Sequence, residues 1–450
     1  MNFQKIYELS PIWLQNLGVT LKGYNNNKSR YGKEYYDHIE YLKWFDQLKL
    51  EEKLKIQEKS MSEFLNYAIQ YSEYYNKKKI LGIGKIENLL NFPILEKEVL
   101  RQNIDAIHTI DSSEAIMSHT GGTTGKSLIV RFTADDMMKR MATLDYFKMK
   151  AGFTHLKMKR ATFNGKHIVP QNQTRKKFWR YNHACKQMIY SSFHLSEDNK
   201  MYYINSLNKF KPASIDGFFT SIYEIAEYIE SNNITLKFSP VAIFPTSETI
   251  TEEGRKLVER VFKCKVYNQY ASSEGAPFIT ECSKGGLHVE LSSGVFEKMG
   301  DDDEILVTSF TTHGTPLIRY RIGDQITFKN ETKCTCGTET VLVNEIKGRK
   351  LDYLFKVDGT KINSANIANA FKNLPNVIVK SQVIQEQKDL LVVKIVIDNK
   401  KYKDYYDSIL EKEFKDKFGK DMKINIEKVE SIPREKSGKY IFVKNNIKEG

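Results

Sequence analysis

The stretch SHTGGTTGKS, Ser118 to Ser127, joined to the run LIVRFT after it, limits the fold more than any other segment. It misses the nucleotide-binding loop G-x-x-x-x-G-K-[ST] by one residue, with Thr120 where the first glycine belongs. That loop works where a helix starts at its Lys-Ser/Thr, because the helix N-terminus and the loop amides together hold the phosphates. Here Lys126-Ser127 runs into LIVRFT, a β-branched sequence that predicts a strand, and AIMSH predicts another strand before the loop. The segment therefore reads as a hairpin. Gly121, Gly122 and Gly125 let its backbone bend around an anion, Thr120, Thr123, Thr124 and Ser127 supply hydroxyls, and Lys126 supplies charge, with Ser118 at the start of the loop a further expected ATP contact. A plain hairpin turn needs no such set of hydroxyls and no lysine beside its glycines, so a polyphosphate-binding hairpin is the better account.

Residues 1 to about 100 space apolar residues three and four apart between charges, as in HIEYLKWFDQLKLEEKLKIQ, which predicts helices. Short apolar runs then alternate with amphipathic stretches to about residue 345 (RATFNG, VAIFPT, CKVYNQY and EILVTSF, with TSIYEIAEYIES among them). Beyond about 350 a smaller pattern restarts, in which DLLVVKIVID predicts a strand, YYDSILEKEFKDKFG a helix and MKINIEKVESI a strand. The expected fold class is α/β, with a large multi-layer N-terminal domain (1–347) and a small α+β C-terminal domain (348–450) joined near IKGRKLDYL.

The chain has 450 residues, 40% hydrophobic and 28% charged, the balance of a soluble globular protein. No window holds the roughly 18 apolar residues of a membrane helix, so no membrane span is expected and the cytoplasm is the expected location. The net charge of +13 is spread over lysines scattered among acids, which reads as a lysine-rich surface with no nucleic-acid partner. Five cysteines are too few for a disulfide scaffold. Cys334 and Cys336 form a C-x-C turn, and Cys282 precedes His288 by six positions. Three thiols and an imidazole complete a tetrahedral set for a structural Zn²⁺, with ordinary free thiols as the alternative. Cys185 and Cys264 read as small apolar residues.

The T-G-G-T-T-G-K string resembles the phosphate loop of the adenylate-forming, acyl- and aryl-CoA synthetase superfamily, and four further motifs follow in that family's order. Tyr270-Ala271-Ser272-Ser273-Glu274-Gly275 is similar to its Tyr-Gly-x-[ST]-Glu segment, which implies that Tyr270 lies beside adenine and Glu274 holds Mg²⁺. Leu317 to Asp324 resembles the segment whose aspartate, here Asp324, binds the ribose hydroxyls. Lys347-Gly348-Arg349 resembles the Gly-Arg hinge between the domains. Arg434 to Lys439 resembles the C-terminal loop whose final lysine, Lys439, drives adenylation from a mobile domain. The resemblance also implies ATP contacts at Ser247 and Glu248 (within TSETIT), Asn268, Ser273 and Arg349, and leaves Lys126 as the cation of the phosphate loop. The phrases SPIWLQNLGVTLKGY and FWRYNHACKQMIYSSFHLS are similar to the phenylacetate–CoA ligase branch and its relatives in capsule and O-antigen gene clusters, so the likeness covers nearly the whole chain.

The resemblance implies an ATP-dependent ligase. A carboxylic acid is activated as an acyl-adenylate with release of pyrophosphate, using Lys439, Lys126 and Glu274 as catalytic groups, and the acyl group passes to coenzyme A. Transfer to an amine, forming an amide in polysaccharide assembly, and a non-catalytic nucleotide-binding relative are the alternatives. Partners are then a small-molecule acid and a thiol or amine acceptor, with a homodimer as an open arrangement. The acid's pocket is expected near Asn164–His167, Asp216–Phe218 and Phe244–Tyr270.

Overall fold

In a computed structural model, the structure describes residues 3–78, 85–119, 128–166, 168–170, 173, 175–300, 303–349, 353–358, 361–363, 367, 369–371, 374, 377–435 and 440–447. The chain divides into two compact units, Met1–Ile346 and Lys347–Gly450.

The first unit opens with four helices, α1 (Phe3–Leu9), α2 (Ile12–Lys28), α3 (Lys33–Asp46) and α4 (Leu50–Tyr71). Met61, Phe64, Leu65 and Ala68 of α4 fall three, four and seven positions apart and are buried, so the apolar stripe turns inward. The N-terminus of α4 is closed by Glu52, whose carboxylate accepts from the Lys49 amide at 3.0 Å. α2 does the reverse. Its buried residues are Gln15, Thr20 and Gly23, while Trp13, Leu17, Leu21 and Tyr24 face outward.

The strands predicted on either side of the glycine loop, β1 (Ile116–His119) and β2 (Ile129–Phe132), pair antiparallel with Ser118 opposite Val130. Thr133 ends β2 and caps the helix Ala134–Lys150, accepting from the Asp136 amide at 3.0 Å. Next comes a six-stranded sheet in the order β4-β5-β3-β6-β7-β8, built from β3 (Arg160–Asn164), β4 (Trp179–Asn182), β5 (Gln187–Ser191), β6 (Ser214–Phe218), β7 (Ala242–Thr246) and β8 (Lys265–Val266). Only the edge strand β4 runs antiparallel to its neighbour. Helices Glu197–Phe210, Phe219–Ser231 and Glu252–Phe262 bury Tyr203, Leu207, Ile222, Ile225 and Val258 in a core shared with Phe163, Tyr190 and Ile243 of the strands.

A seven-stranded sheet in the order β12-β13-β14-β15-β11-β10-β9 completes this unit. Its strands are β9 (Gln269–Tyr270), β10 (Ile279–Glu281), β11 (Leu287–Val289), β12 (Gly294–Met299), β13 (Glu304–Ser309), β14 (Tyr320–Phe328) and β15 (Leu342–Arg349). The second unit holds a hairpin of β16 (Tyr353–Phe355) and β17 (Lys361–Asn363), and a four-stranded sheet, β20-β19-β18-β21, of β18 (Ile378–Gln387), β19 (Leu390–Ile397), β20 (Lys423–Lys428) and β21 (Val443–Asn445). The helix Tyr405–Phe418 contributes Leu410 and Phe414 to its core with Val383, Leu391 and Val393. The architecture is the α/β class with an α+β C-terminal part that the sequence patterns predict, and among the described residues no helix is long and apolar enough to cross a membrane.

Close approach of β3 and β6 depends on one glycine. Gly217 has φ +123°, and a Cβ there would lie 1.8 Å from the Phe163 carbonyl oxygen. Gly217→Ala should therefore cost more than about 3 kcal/mol. Gly18→Ala, inside α2 with only the Tyr7 ring at 3.8 Å, should stabilise by about 0.5–1 kcal/mol. Thermal unfolding of the two variants should move in opposite directions from the parent.

Candidate active site and metal centre

Strand β1 of the hairpin meets the turn that follows β9. Ser118 Oγ, at the end of β1, donates to the Ser273 carbonyl at 2.9 Å, so the hairpin and the 270–275 segment meet directly. Inside that turn Ser272 Oγ accepts from the amides of Gly275 (3.2 Å) and Ala276 (3.0 Å). Arg140 reaches over from the helix after β2 and donates to the carbonyls of Gly275 (2.8 Å) and Ala276 (3.1 Å) and to Thr311 Oγ1 (3.0 Å). The Arg140 guanidinium lies 4.4 Å from the Phe278 ring centroid. Glu274 is buried at 3% exposure on this clamped turn. The sequence reading missed Arg140, since nothing separates it from the neighbouring basic residues until the fold buries it.

Tyr270 and Asp324 come from β9 and β14, which have three strands between them in the sheet. The Tyr270 hydroxyl nevertheless donates to Asp324 Oδ2 at 2.7 Å, so the sheet is curled enough to bring the two together. Asn268 is fixed through its backbone, its amide donating to Glu281 Oε2 at 2.6 Å, and Gln269 Nε2 donates to the Pro245 carbonyl at 3.1 Å. The same end of β7 carries Ser247, a non-glycine residue with φ +65°. The Glu248 carboxylate accepts from the Thr220 amide at 2.7 Å and from its hydroxyl at 3.0 Å. Asp216, in one of the expected pocket segments, is buried against Lys148 Nζ (3.0 Å) and Arg160 (3.4 Å). Thr120, Gly121, Gly122, Thr123, Thr124, Gly125, Lys126, Ser127, His167 and Lys439 lie outside the described residues, as does the Arg349 side chain.

Cys282, His288, Cys334 and Cys336 converge, with one donor atom from each lying within 4.8 Å of the others. Cys282 and His288 flank the turn joining β10 to β11, where the Cys282 amide donates to the Gly286 carbonyl at 2.9 Å. Cys334 and Cys336 share a knuckle closed by the Gly337 amide on the Cys334 carbonyl at 2.9 Å. Cys282 Sγ and Cys334 Sγ are 3.7 Å apart, as are Cys336 Sγ and His288 Nε2. A tetrahedral zinc ion with sulfurs at about 2.3 Å sets them about 3.7 Å apart, so the donor set fits that ion and leaves no open position. Burial, with the Lys150 ammonium nearby, pushes His288 down to about 4, which keeps the neutral imidazole a metal needs. Behind the knuckle, Lys53 Nζ of α4 donates to the Glu339 carbonyl at 2.9 Å.

An open twisted sheet beside a curled antiparallel sheet, a loop-bearing hairpin and a separate C-terminal unit define the fold of the adenylate-forming ligases. A 2-hydroxyisobutyryl-CoA ligase, solved in the postadenylation state, superposes with a TM-score of 0.71 at 14% identity, over 89% of this chain and 91% of that one. An acyl acid amido synthetase, GH3.15, superposes with a TM-score of 0.51 at 13% identity, over 84% and 88% of the two chains. Protein CapK of Staphylococcus aureus is 40% identical over 98% of this chain and 99% of its own length. The CapK C-terminal domain family matches residues 354–446. The chain therefore belongs to the CapK family. The indoleacetate–lysine synthetase of Pseudomonas savastanoi is 26% identical over 199 residues, 42% of this chain and 48% of that protein.

A Cβ at Gly286 would stand 2.6 Å from Cys334 Sγ, 3.1 Å from His288 Nε2 and 3.4 Å from Cys282 Sγ. Elemental analysis of protein purified without chelator should give one zinc per chain. Gly286→Ala should bind zinc substoichiometrically and release it faster to a chromogenic chelator.

Proposed function

We propose that the chain activates a carboxylic acid with ATP, releasing pyrophosphate, and passes the acyl group to coenzyme A. The observation that carries this reading is the 2.7 Å bond between Tyr270 and Asp324, which sets side by side the residues that the motifs assign to adenine and ribose. The contact from Ser118 to Ser273 supports it, since it ties the hairpin bearing the phosphate loop to the turn that holds Glu274.

In the chemistry, a carboxylate oxygen attacks the α-phosphorus and the bond to the bridging β-phosphate oxygen breaks, so pyrophosphate leaves. Carboxylate and triphosphate repel each other, and the site must neutralise charge while holding an in-line geometry. Lys126 and the hydroxyls of Thr120–Ser127 would hold the β- and γ-phosphates, and Lys439 would bridge the carboxylate and the α-phosphate. Asp324 would accept from both ribose hydroxyls. Glu274 would hold Mg²⁺, which prefers carboxylate and phosphate oxygens and offsets the phosphate charge when bound. The acid would enter at the C-terminal ends of β3, β6 and β7, where open parallel sheets place their ligands. The Cys282–His288–Cys334–Cys336 quartet would hold zinc in a structural role, away from this chemistry.

Transfer to an amine is the second reading, favoured by the likeness to an indoleacetate–lysine synthetase and to an acyl acid amido synthetase fold. An amide made on a sugar or amino acid would suit polysaccharide assembly, in keeping with the resemblance to relatives in capsule and O-antigen gene clusters.

ATP–pyrophosphate exchange across aryl, fatty, amino and sugar acids tests the first half-reaction. At least one acid should support exchange, Lys439→Ala should lower it roughly 10²–10³-fold, and Asp324→Asn should raise the ATP KM about tenfold or more. No exchange with any acid would leave the non-catalytic reading standing, and full activity in Lys439→Ala would overturn the role given to Lys439. Mass analysis of products formed with coenzyme A against amines separates the two acceptors.

A further inference from the structure

The outward face of α2 carries Trp13 at 66% exposure, Leu17 at 44%, Leu21 at 60% and Tyr24 at 56%. At 100° per residue these four and Leu14 lie within an arc of about 100°, a continuous apolar stripe along the helix. Leu9, at the end of α1, is exposed as well, at 77%. A soluble helix normally turns such a stripe inward. This one cannot, because its other face is committed to the free edge of β4.

Asn16 Oδ1 accepts from the Tyr181 amide at 3.0 Å and Thr20 Oγ1 from the His183 amide at 3.1 Å. Gln15 Oε1 accepts from Arg180 Nε at 2.5 Å, and Asn27 Nδ2 donates to the Ala184 carbonyl at 3.2 Å. A Cβ at Gly23 would lie 2.4 Å from Asn182 Oδ1, so the helix lies close on the strand. Asn16 thus satisfies an amide that the edge strand leaves open, Thr20 and Asn27 hold the turn just after it, and Gln15 takes the Arg180 side chain. The apolar stripe is therefore held outward by hydrogen bonds on the opposite side.

The sequence around the stripe is basic and, apart from the exposed Glu8 beside Leu9, poor in acid. No Asp or Glu occurs from Ser10 to Lys33, nor from Tyr146 to Ser196, where eleven Lys and Arg fall. Evenly scattered charge, as expected for the whole chain, does not hold here. Lys22 and Lys28 are exposed on α2, Arg175, Lys176 and Lys177 are exposed just before β4, and Lys186 is exposed just beyond the turn that Asn27 grips.

We propose that this face of α2 seats the protein on an anionic lipid surface, with Trp13, Leu17 and Leu21 in the headgroup region and the basic residues at both ends of the helix over lipid phosphates. A Trp- and Leu-bearing helix with lysines at its margins is the pattern of an interfacial helix that lies in the membrane plane. A second copy is a poorer occupant, since two such faces would bring basic groups against basic groups with little acid between them.

The test uses the purified full-length protein with vesicles of phosphatidylcholine alone or mixed with phosphatidylglycerol. The protein should co-sediment with the mixed vesicles only, less so as salt rises. Its tryptophan emission should shift to the blue on binding, a shift lost in Trp13→Phe. Paired Leu17→Glu and Leu21→Glu should abolish retention. Replacing Arg175, Lys176 and Lys177 with Gln should weaken it on the order of a hundredfold, about fivefold per charge. The proposal fails if mixed vesicles do not retain the protein at low salt, if phosphatidylcholine alone retains it equally, or if both sets of variants bind as the parent does. It also fails if sedimentation velocity shows a dimer that the Leu17→Glu, Leu21→Glu pair dissociates.

Discussion

Arg140 is the interaction on which the rest of the site depends. Its guanidinium is buried, so its donors must find partners, and it finds them in the carbonyls of Gly275 and Ala276 and the hydroxyl of Thr311. The helix that carries it begins directly after β2, with Thr133 as its cap. The glycine-loop hairpin, the turn bearing Glu274 and the Thr311–Thr315 stretch leading to β14 are thus referred to one rigid side chain. Asp136 of the same helix takes the His313 amide and ring nitrogen, each at 2.7 Å, and fixes that stretch a second time. Ser118, Tyr270 and Asp324, already linked by the Ser118–Ser273 and Tyr270–Asp324 bonds, thereby share a common anchor.

Much of this was legible in the residues, and the limits of legibility have physical causes. The β-branched run after Lys126 declared a hairpin because strand propensity is local, and the candidate metal quartet was visible because thiols in a knuckle are rare without a use. The motif order placed Tyr270 and Asp324 in one family role each, but no sequence rule says that strands so far apart in a sheet meet. Arg140 was invisible because burial, and not residue type, gives it its task. Glu248 carries a tie that the sequence does not show: within TSETIT it reads as a nucleotide contact, and in the fold its carboxylate also accepts from the Thr220 amide in the first turn of Phe219–Ser231.

α2 marks the sharpest limit. Periodicity reveals that a helix has two faces but not which one is buried, and the usual assumption assigns the apolar one to the core. Gln15, Asn16, Thr20 and Asn27 could be recognised as the inward face only once an edge strand with open amides was known to lie beside them. Their spacing, at i, i+1, i+5 and i+12, is a helical stripe of its own, written in amides and hydroxyls.

That stripe has a consequence for how copies of the chain behave toward one another. A terminal strand with unused amides is a template onto which a strand from another molecule can add, growing a shared sheet. By taking the Tyr181 amide and lying close on Asn182, α2 covers the outer margin of β4 against such recruitment. A chain shortened from its N-terminus past Thr20 would keep its hydrophobic core and still expose a sticky border. The first helices thus cover a strand margin that would otherwise stand open.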